Sequence, residues 1–310
     1  GVVTEADVSH EPVLASLPDG RLVSCTTTGE VALWAAVHRG PPLAQLHIKS
    51  PLRVRVLVVL PDGHRVAIAV RGLSPARGGI VVWDTREAPQ AVPVPVITRA
   101  TVVCVRNVWP SVLAVLRDGR VVFGDNDNNF QVMNVDAGVM ETTLCTGNGK
   151  KRYVMALAAL PDGNLASASS DRLVWLWDVD AGVCTAKLKG HTHDVNALVV
   201  LSDGRLASGS EDGTVRLWDV GSRTCVGVLQ GYKRALVVLP GGSQLANMST
   251  GDKLLVWDTR DAVGAPVLEL RQIVELAGSA ARLLVYLPDG RLATGGHGVR
   301  LWKLPLDDFV

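Results

Sequence analysis

Short β-rich runs separated by polar turns fill the chain from end to end. The stretch VNALVVL-SDG-RLASGS shows the unit: two apolar-rich runs on either side of an Asp-Gly pair. The runs are too brief for helices, and Asp-Gly between β-rich flanks marks a hairpin, because Gly tolerates positive φ. The turn recurs as L-[PS]-D-G ending at Gly20, Gly63, Gly163, Gly204 and Gly290, with weaker copies ending at Gly119 and Gly242. The seven turns are spaced 43, 56, 44, 41, 38 and 48 residues apart.

A Trp follows each turn at a near-fixed distance: Trp34, Trp83, Trp177, Trp218, Trp257 and Trp302, with Asn134 expected at that place in the third copy. Asp84, Asp178, Asp219 and Asp258 come directly after four of them. In repeat length and in its Trp-Asp ending the chain resembles the WD-repeat β-propeller family over essentially its whole length. The resemblance implies an all-β fold, a seven-bladed propeller of four-stranded antiparallel blades, forming one domain over residues 1–310. In blade five the runs predict strands at 195–201, 205–210, 214–220 and 224–229. A lone four-stranded sheet cannot cover both faces, whereas seven stacked radially bury each against its neighbours. The last copy has three strands and then nearly ends. Aligning the first turn with the fifth predicts that residues 1–5 supply the fourth strand of the last blade. The Val/Pro-rich segment 91–108 does not reveal its outer strand.

Net charge is +1, from 31 Lys and Arg against 30 Asp and Glu, which argues against a protein that coats polyanions. No apolar run approaches the length of a membrane-spanning helix, and the start lacks a basic region followed by an apolar one. Cys25, Cys104, Cys145, Cys184 and Cys225 form no CxxC pair. Cys184 and Cys225 hold equivalent repeat positions inside apolar strand patterns, and an odd count at such positions suits buried free thiols in a reducing compartment, cytoplasmic or nuclear.

Blade five gathers His191, Ser208, Ser210, Asp212 and Trp218. His, Ser and Asp together invite a hydrolase reading. The family resemblance implies instead a structural hydrogen-bond chain that satisfies the buried Trp N–H, with Ser208 or Ser210 as its hydroxyl. Asp125, Asp127 and Asn129 have calcium-loop spacing, but Phe130 replaces the required Gly and Asp136 the final Glu. His191 and His193 lack further zinc ligands at suitable spacing. TGNGKK lacks the first Gly and the terminal Ser or Thr of a phosphate loop. No cofactor or metal is expected.

The family resemblance implies that residues where the first strand of each blade begins line one face, the top, and hold partners. Alignment on the turns puts Arg53, Arg55, Trp109, Tyr153, Met155, Asp194, Asn196, Tyr232, Arg234 and Arg282 there. Aromatic and Arg side chains dominate binding hot spots, and Arg takes carboxylate or phosphate bidentately. The reading is a non-catalytic scaffold, a monomeric propeller within a larger complex. It binds a peptide or protein segment that is acidic or phosphorylated, as a substrate receptor or adaptor would. RNA stacked on the aromatic residues is the alternative, disfavoured by the near-zero net charge. A hydrolase-like enzyme ranks last.

Overall fold

Six of the Asp-Gly-type turns form with their glycine in the left-handed region, as at Gly163 (φ 89°) and Gly204 (φ 87°), where a side chain would be strained. The structure, a computed structural model, describes residues 3–7, 13–25, 30–35, 42–47, 53–71, 79–87, 101–104, 112–124, 129–145, 153–231, 236–239, 242–248, 253–259, 270–275, 283–286, 291–295 and 298–303. Their strands make seven four-stranded antiparallel sheets. The innermost strands, Val13–Ser16, Arg53–Val59, Leu113–Val115, Val154–Ala159, Val195–Val200, Leu236–Val238 and Leu283–Tyr286, touch their neighbours in turn, and the last touches the first. The fold is a β-propeller.

Side-chain alternation explains the stacking. In blade two, Val66, Ile68, Val70, Val81 and Trp83 share one apolar cluster with Val23, Val31 and Leu33 of blade one. Their strand neighbours Ala67, Ala69, Ile80 and Val82 point the other way and join Val121, Phe123 and Met133 of blade three. Successive residues of a strand face opposite sides, so each blade contributes to two cores. Trp83, Trp177, Trp218 and Trp257 pack towards the preceding blade: Trp177 lies with Phe130, and Trp218 with Ala166 and Leu176.

The strand register corrects the third copy. Met133 pairs with Val121 as Trp218 pairs with Leu206, so buried Met133, not Asn134, holds the Trp position. Asn134 takes the place of the following Asp: its Oδ1 accepts the Ala137 N–H, as Asp178 accepts from Ala181 and Asp219 from Ser222. The thiols also depart from expectation. Cys25 is buried, which pushes its pKa up, but Cys145 and Cys225 are exposed and Cys184 is half-buried. These three lie on outermost strands, which neighbouring blades cover least.

Val3–Asp7 pairs antiparallel with Gly298–Lys303, as the outermost strand of the sheet made by the last three strands. It runs two residues later than the 1–5 expected. Thr101–Cys104 is the outer strand of blade two, the assignment that segment 91–108 left open.

A second device ties blade to blade on the face of the hairpin turns. The residue after the turn is often Arg. It bonds back to the turn Asp and forward to the next blade, just past that blade's Trp position. Arg21 holds Asp19 and reaches Thr85 O and Oγ1, both at 3.2 Å. Arg65 joins Asp62 to Asp136, Arg120 joins Asp118 to Asp180, and Arg205 joins Asp203 to Thr259 O. Each such partly exposed pair contributes about 0–1 kcal/mol, so its larger effect is to fill the groove between turns.

Deleting residues 1–7 strips the partner from Gly298–Lys303 and leaves an open sheet edge. The expected result is a lower, broader thermal transition by circular dichroism and new aggregation. An unchanged transition contradicts a stabilising role for this strand.

Candidate functional site

The set that resembles a catalytic triad is a sealed chain of hydrogen bonds. Trp218 Nε1–H donates to Ser208 Oγ at 2.7 Å, Ser208 Oγ lies 2.7 Å from His191 Nε2, and His191 Nδ1 lies 2.8 Å from Asp212 Oδ2. Ser208 is the hydroxyl in the chain. Ser210 instead donates to His193 O and accepts the Asp212 N–H. Asp212 also accepts from Thr192 N–H, Thr214 N–H and Thr214 Oγ1–H. Burial works to raise the Asp212 carboxyl, but these donors and His191 outweigh it and hold it at about 2. Burial pushes His191 below its ordinary value, against the pull of Asp212. A neutral imidazole facing a carboxylate must donate through Nδ1, so Nε2 accepts from Ser208 and every bond in the chain is satisfied.

That arrangement holds structure. Ser208 is 0% exposed, its oxygen is taken by Trp218 and its proton by His191, so no substrate carbonyl can reach it. His191 has both ring nitrogens engaged and none left for a metal. No metal-binding cluster of His, Cys, Asp or Glu occurs among the described residues, and Asp125 and Asp127 lie outside them.

Other blades keep parts of the chain. Trp34 donates to Ser24 and Trp177 to Ser167. In blade four Asp171 accepts instead from Leu173 N–H and Trp175 Nε1–H. Blade two puts Ile68 at the serine register, and the buried Trp83 Nε1–H has no partner among the described residues.

The expected binding face begins where three innermost strands skip a residue. Arg55, Met155 and Asn196 each fall in such a bulge, opposite no residue of the second strand. A bulge frees a side chain from the ladder and re-aims it. Tyr153 is 65% exposed and Met155 39%, unusual for large apolar residues. Tyr153 N–H donates to Ser170 Oγ, and Ser170 N–H returns to Tyr153 O, so the turn at 170–172 lies beside Tyr153. In that turn exposed Arg172 sits at φ 72°, where blade five has Gly213 at φ 82°. Left-handed backbone costs a side-chain-bearing residue about 1–2 kcal/mol. Arg172 was missed by the sequence reading, although Asp-Arg in place of Asp-Gly at this turn is a legible signal. Blade five, alongside, is acidic: Asn196 Nδ2 donates to Glu211, whose N–H bonds Asp194 O, and Asn196 Oδ1 is buried with no partner among the described residues. Arg53 pairs through its backbone with Arg71 at the same end of blade two. Trp109, Tyr232, Arg234 and Arg282 lie outside the described residues.

Comparison with known proteins gives the class. Residues 141–178 and 182–219 each match the family model described as "WD domain, G-beta repeat". Both segments begin at or just before the outer strand of one blade and end on the Trp-Asp strand of the next. The chain is thus a β-propeller in which two successive segments match the WD-repeat model. Its fold is shared by a chain in the crystal structure of a mitotic checkpoint complex, with a TM-score of 0.78, 16% identity, and coverage of 98% of this chain and 91% of that one.

Asp212→Asn is expected to cost about 1–3 kcal/mol near neutral pH, since it disturbs a buried chain. The pH dependence has a definite sign. Below the ordinary His value of 6.5 the unfolded chain takes up a proton that native His191 resists, so stability falls as pH drops through His191's lower value. Asp212, ordinarily 3.8 and held at about 2, adds a second loss between those values. Urea midpoints should show the Asp212→Asn deficit narrowing below pH 3.8; a pH-independent deficit contradicts the charge-based chain. Trp83→Phe should cost less than Trp218→Phe by about 1 kcal/mol, because only Trp218 loses a hydrogen bond. Equal costs in paired unfolding curves contradict that difference.

Proposed function

We propose that the protein is a non-catalytic scaffold that holds a peptide or protein segment on the face where the innermost strands begin. The observation that carries this is the patch of Tyr153, Met155 and Arg172: two exposed apolar side chains and a guanidinium displayed from a left-handed turn. A chain gains no packing by exposing Tyr and Met, nor by placing Arg where Gly is easier. Such features fit a surface completed by a partner. The WD repeats support the same class of function, and the similar fold of a chain within a multiprotein complex agrees with it.

The partner segment is acidic or phosphorylated. Arg172 makes no ion pair among the described residues, and Arg53 and Arg55 begin the inner strand of blade two. By alignment of the repeats, Arg234 and Arg282 would add cations from other blades, and Tyr232 and Trp109 stacking surfaces. Asp194 and Glu211 mark the sector over blade five as repulsive to the anion, which orients the segment towards blade four. A cytoplasmic or nuclear setting suits the free thiols.

The test is a binding titration of phosphorylated and unphosphorylated peptide libraries against the propeller and its variants. Tyr153→Ala and Arg172→Ala should each cost on the order of 2 kcal/mol of binding, with the melting temperature unchanged or raised for Arg172→Gly. Arg55→Lys should lose affinity despite keeping its charge, because the bidentate fork is gone. Raised salt should weaken binding. Normal binding by all three variants, with loss on changing the opposite face, refutes the assignment; competition by RNA rather than peptide refutes the partner class.

A further inference from the structure

The Arg clasp is absent between blades four and five, and a cleft lies there. After the turn of blade four comes Asn164, where blades one, two, three and five have Arg21, Arg65, Arg120 and Arg205. Asn164 reaches only its own turn: its N–H and Nδ2 donate to Asp162 Oδ1 and Oδ2, both at 3.0 Å. On the facing side Gly221 stands where blades three and four have Asp136 and Asp180, the carboxylates that receive the clasps there. Both partners of the clasp are thus cut short. The gap is a cleft of about 450 Å³ lined by Asp162, Asn164, Trp177, Val220, Gly221 and Arg223, among others.

We propose that this cleft, on the face opposite the peptide-binding one, is a docking site for an arginine side chain of a partner protein. The niche has the acceptors that hold a guanidinium at the other interfaces. Asp162 is the turn carboxylate, matching Asp19, Asp118 and Asp203. The Val220 carbonyl matches those of Thr85 and Thr259, which accept from Arg21 and Arg205. Leu160, Pro161, Leu176 and Trp177 give apolar walls for the methylene stem. Arg223, on the rim at φ 62°, holds the turn position that is Gly138 in blade three and Gly182 in blade four. As a like charge it selects an arginine flanked by an acidic residue, whose carboxylate it meets while the guanidinium enters.

The experiment titrates an acetylated, amidated Gly-Arg-Glu-Gly peptide against the whole chain by NMR, with the citrulline peptide as the neutral isostere. Saturable binding of the arginine peptide is expected, about tenfold tighter than citrulline, as suits a charge-assisted hydrogen bond. Asn164→Arg supplies the chain's own guanidinium and should abolish binding. Asp162→Asn, which keeps the turn acceptor, should weaken it about tenfold. Absent binding, equal binding of the two peptides, or full binding by folded Asn164→Arg or Asp162→Asn overturns the site. Tyr153→Ala with Arg172→Ala should leave this binding unchanged, so the two faces fail or succeed separately; loss of binding in that variant places the peptide on the other face and overturns the site too.

Discussion

A four-stranded sheet of alternating side chains has two faces to hide and no core of its own. That constraint governs the molecule. Blade two alone cannot bury both Ile68 and Ala69; it needs blade one for the first and blade three for the second. Each interface is therefore half of two blades' stability, and the ring closes because an end blade would leave one face wet. The large residues lie on one side and the small ones on the other, as in Trp218 and Leu206 against Ala207. The large face of one blade then fits the small face of the blade before it, as close packing requires.

Polar groups enter this scheme under the same constraint. A Trp buried between blades brings an N–H with it, and that donor must be met or its desolvation goes unrepaid. Blade five meets it with a chain ending on a carboxylate, blades one and four with a serine alone, and blade two leaves Trp83 unmet among the described residues. The chemistry that looks catalytic is thus spent on packing. Packing leaves surface over at the bulges on one face and, on the other, at the junction of blades four and five, where Asn164 reaches only its own turn.

Much of this was legible in the sequence, for identifiable reasons. Asp-Gly turns and Trp positions are local signals, and they located the blades and the strands of blade five to within a residue or so at either end. The third copy was harder. Without a Trp to fix the register, Asn134 was read for Met133, and only pairing with Val121 separates the two. Spacing could not choose between Ser208 and Ser210, because strand alternation puts both on one face and their partners are distant in sequence. The Arg clasps were invisible for a similar reason. Asp-Gly-Arg reads as a turn, while the forward reach to the next blade spans 54 residues for Arg205 and 64 for Arg21. Cys184 and Cys225 were misjudged because an apolar strand pattern does not say which strand is outermost.

If shared interfaces hold the ring together, the blades should open together rather than singly. Native-state hydrogen exchange across a denaturant series measures this directly. Amides of Leu165–Ser169, Leu206–Ser210 and Arg65–Arg71, second strands of three blades, are expected to converge on one opening free energy equal to that of global unfolding. Amides of the turn at 170–173 should exchange at far lower cost. Separate opening energies for blades two, four and five, with blade two opening alone, would show that the blades are independent units and that the interfaces do not carry the fold.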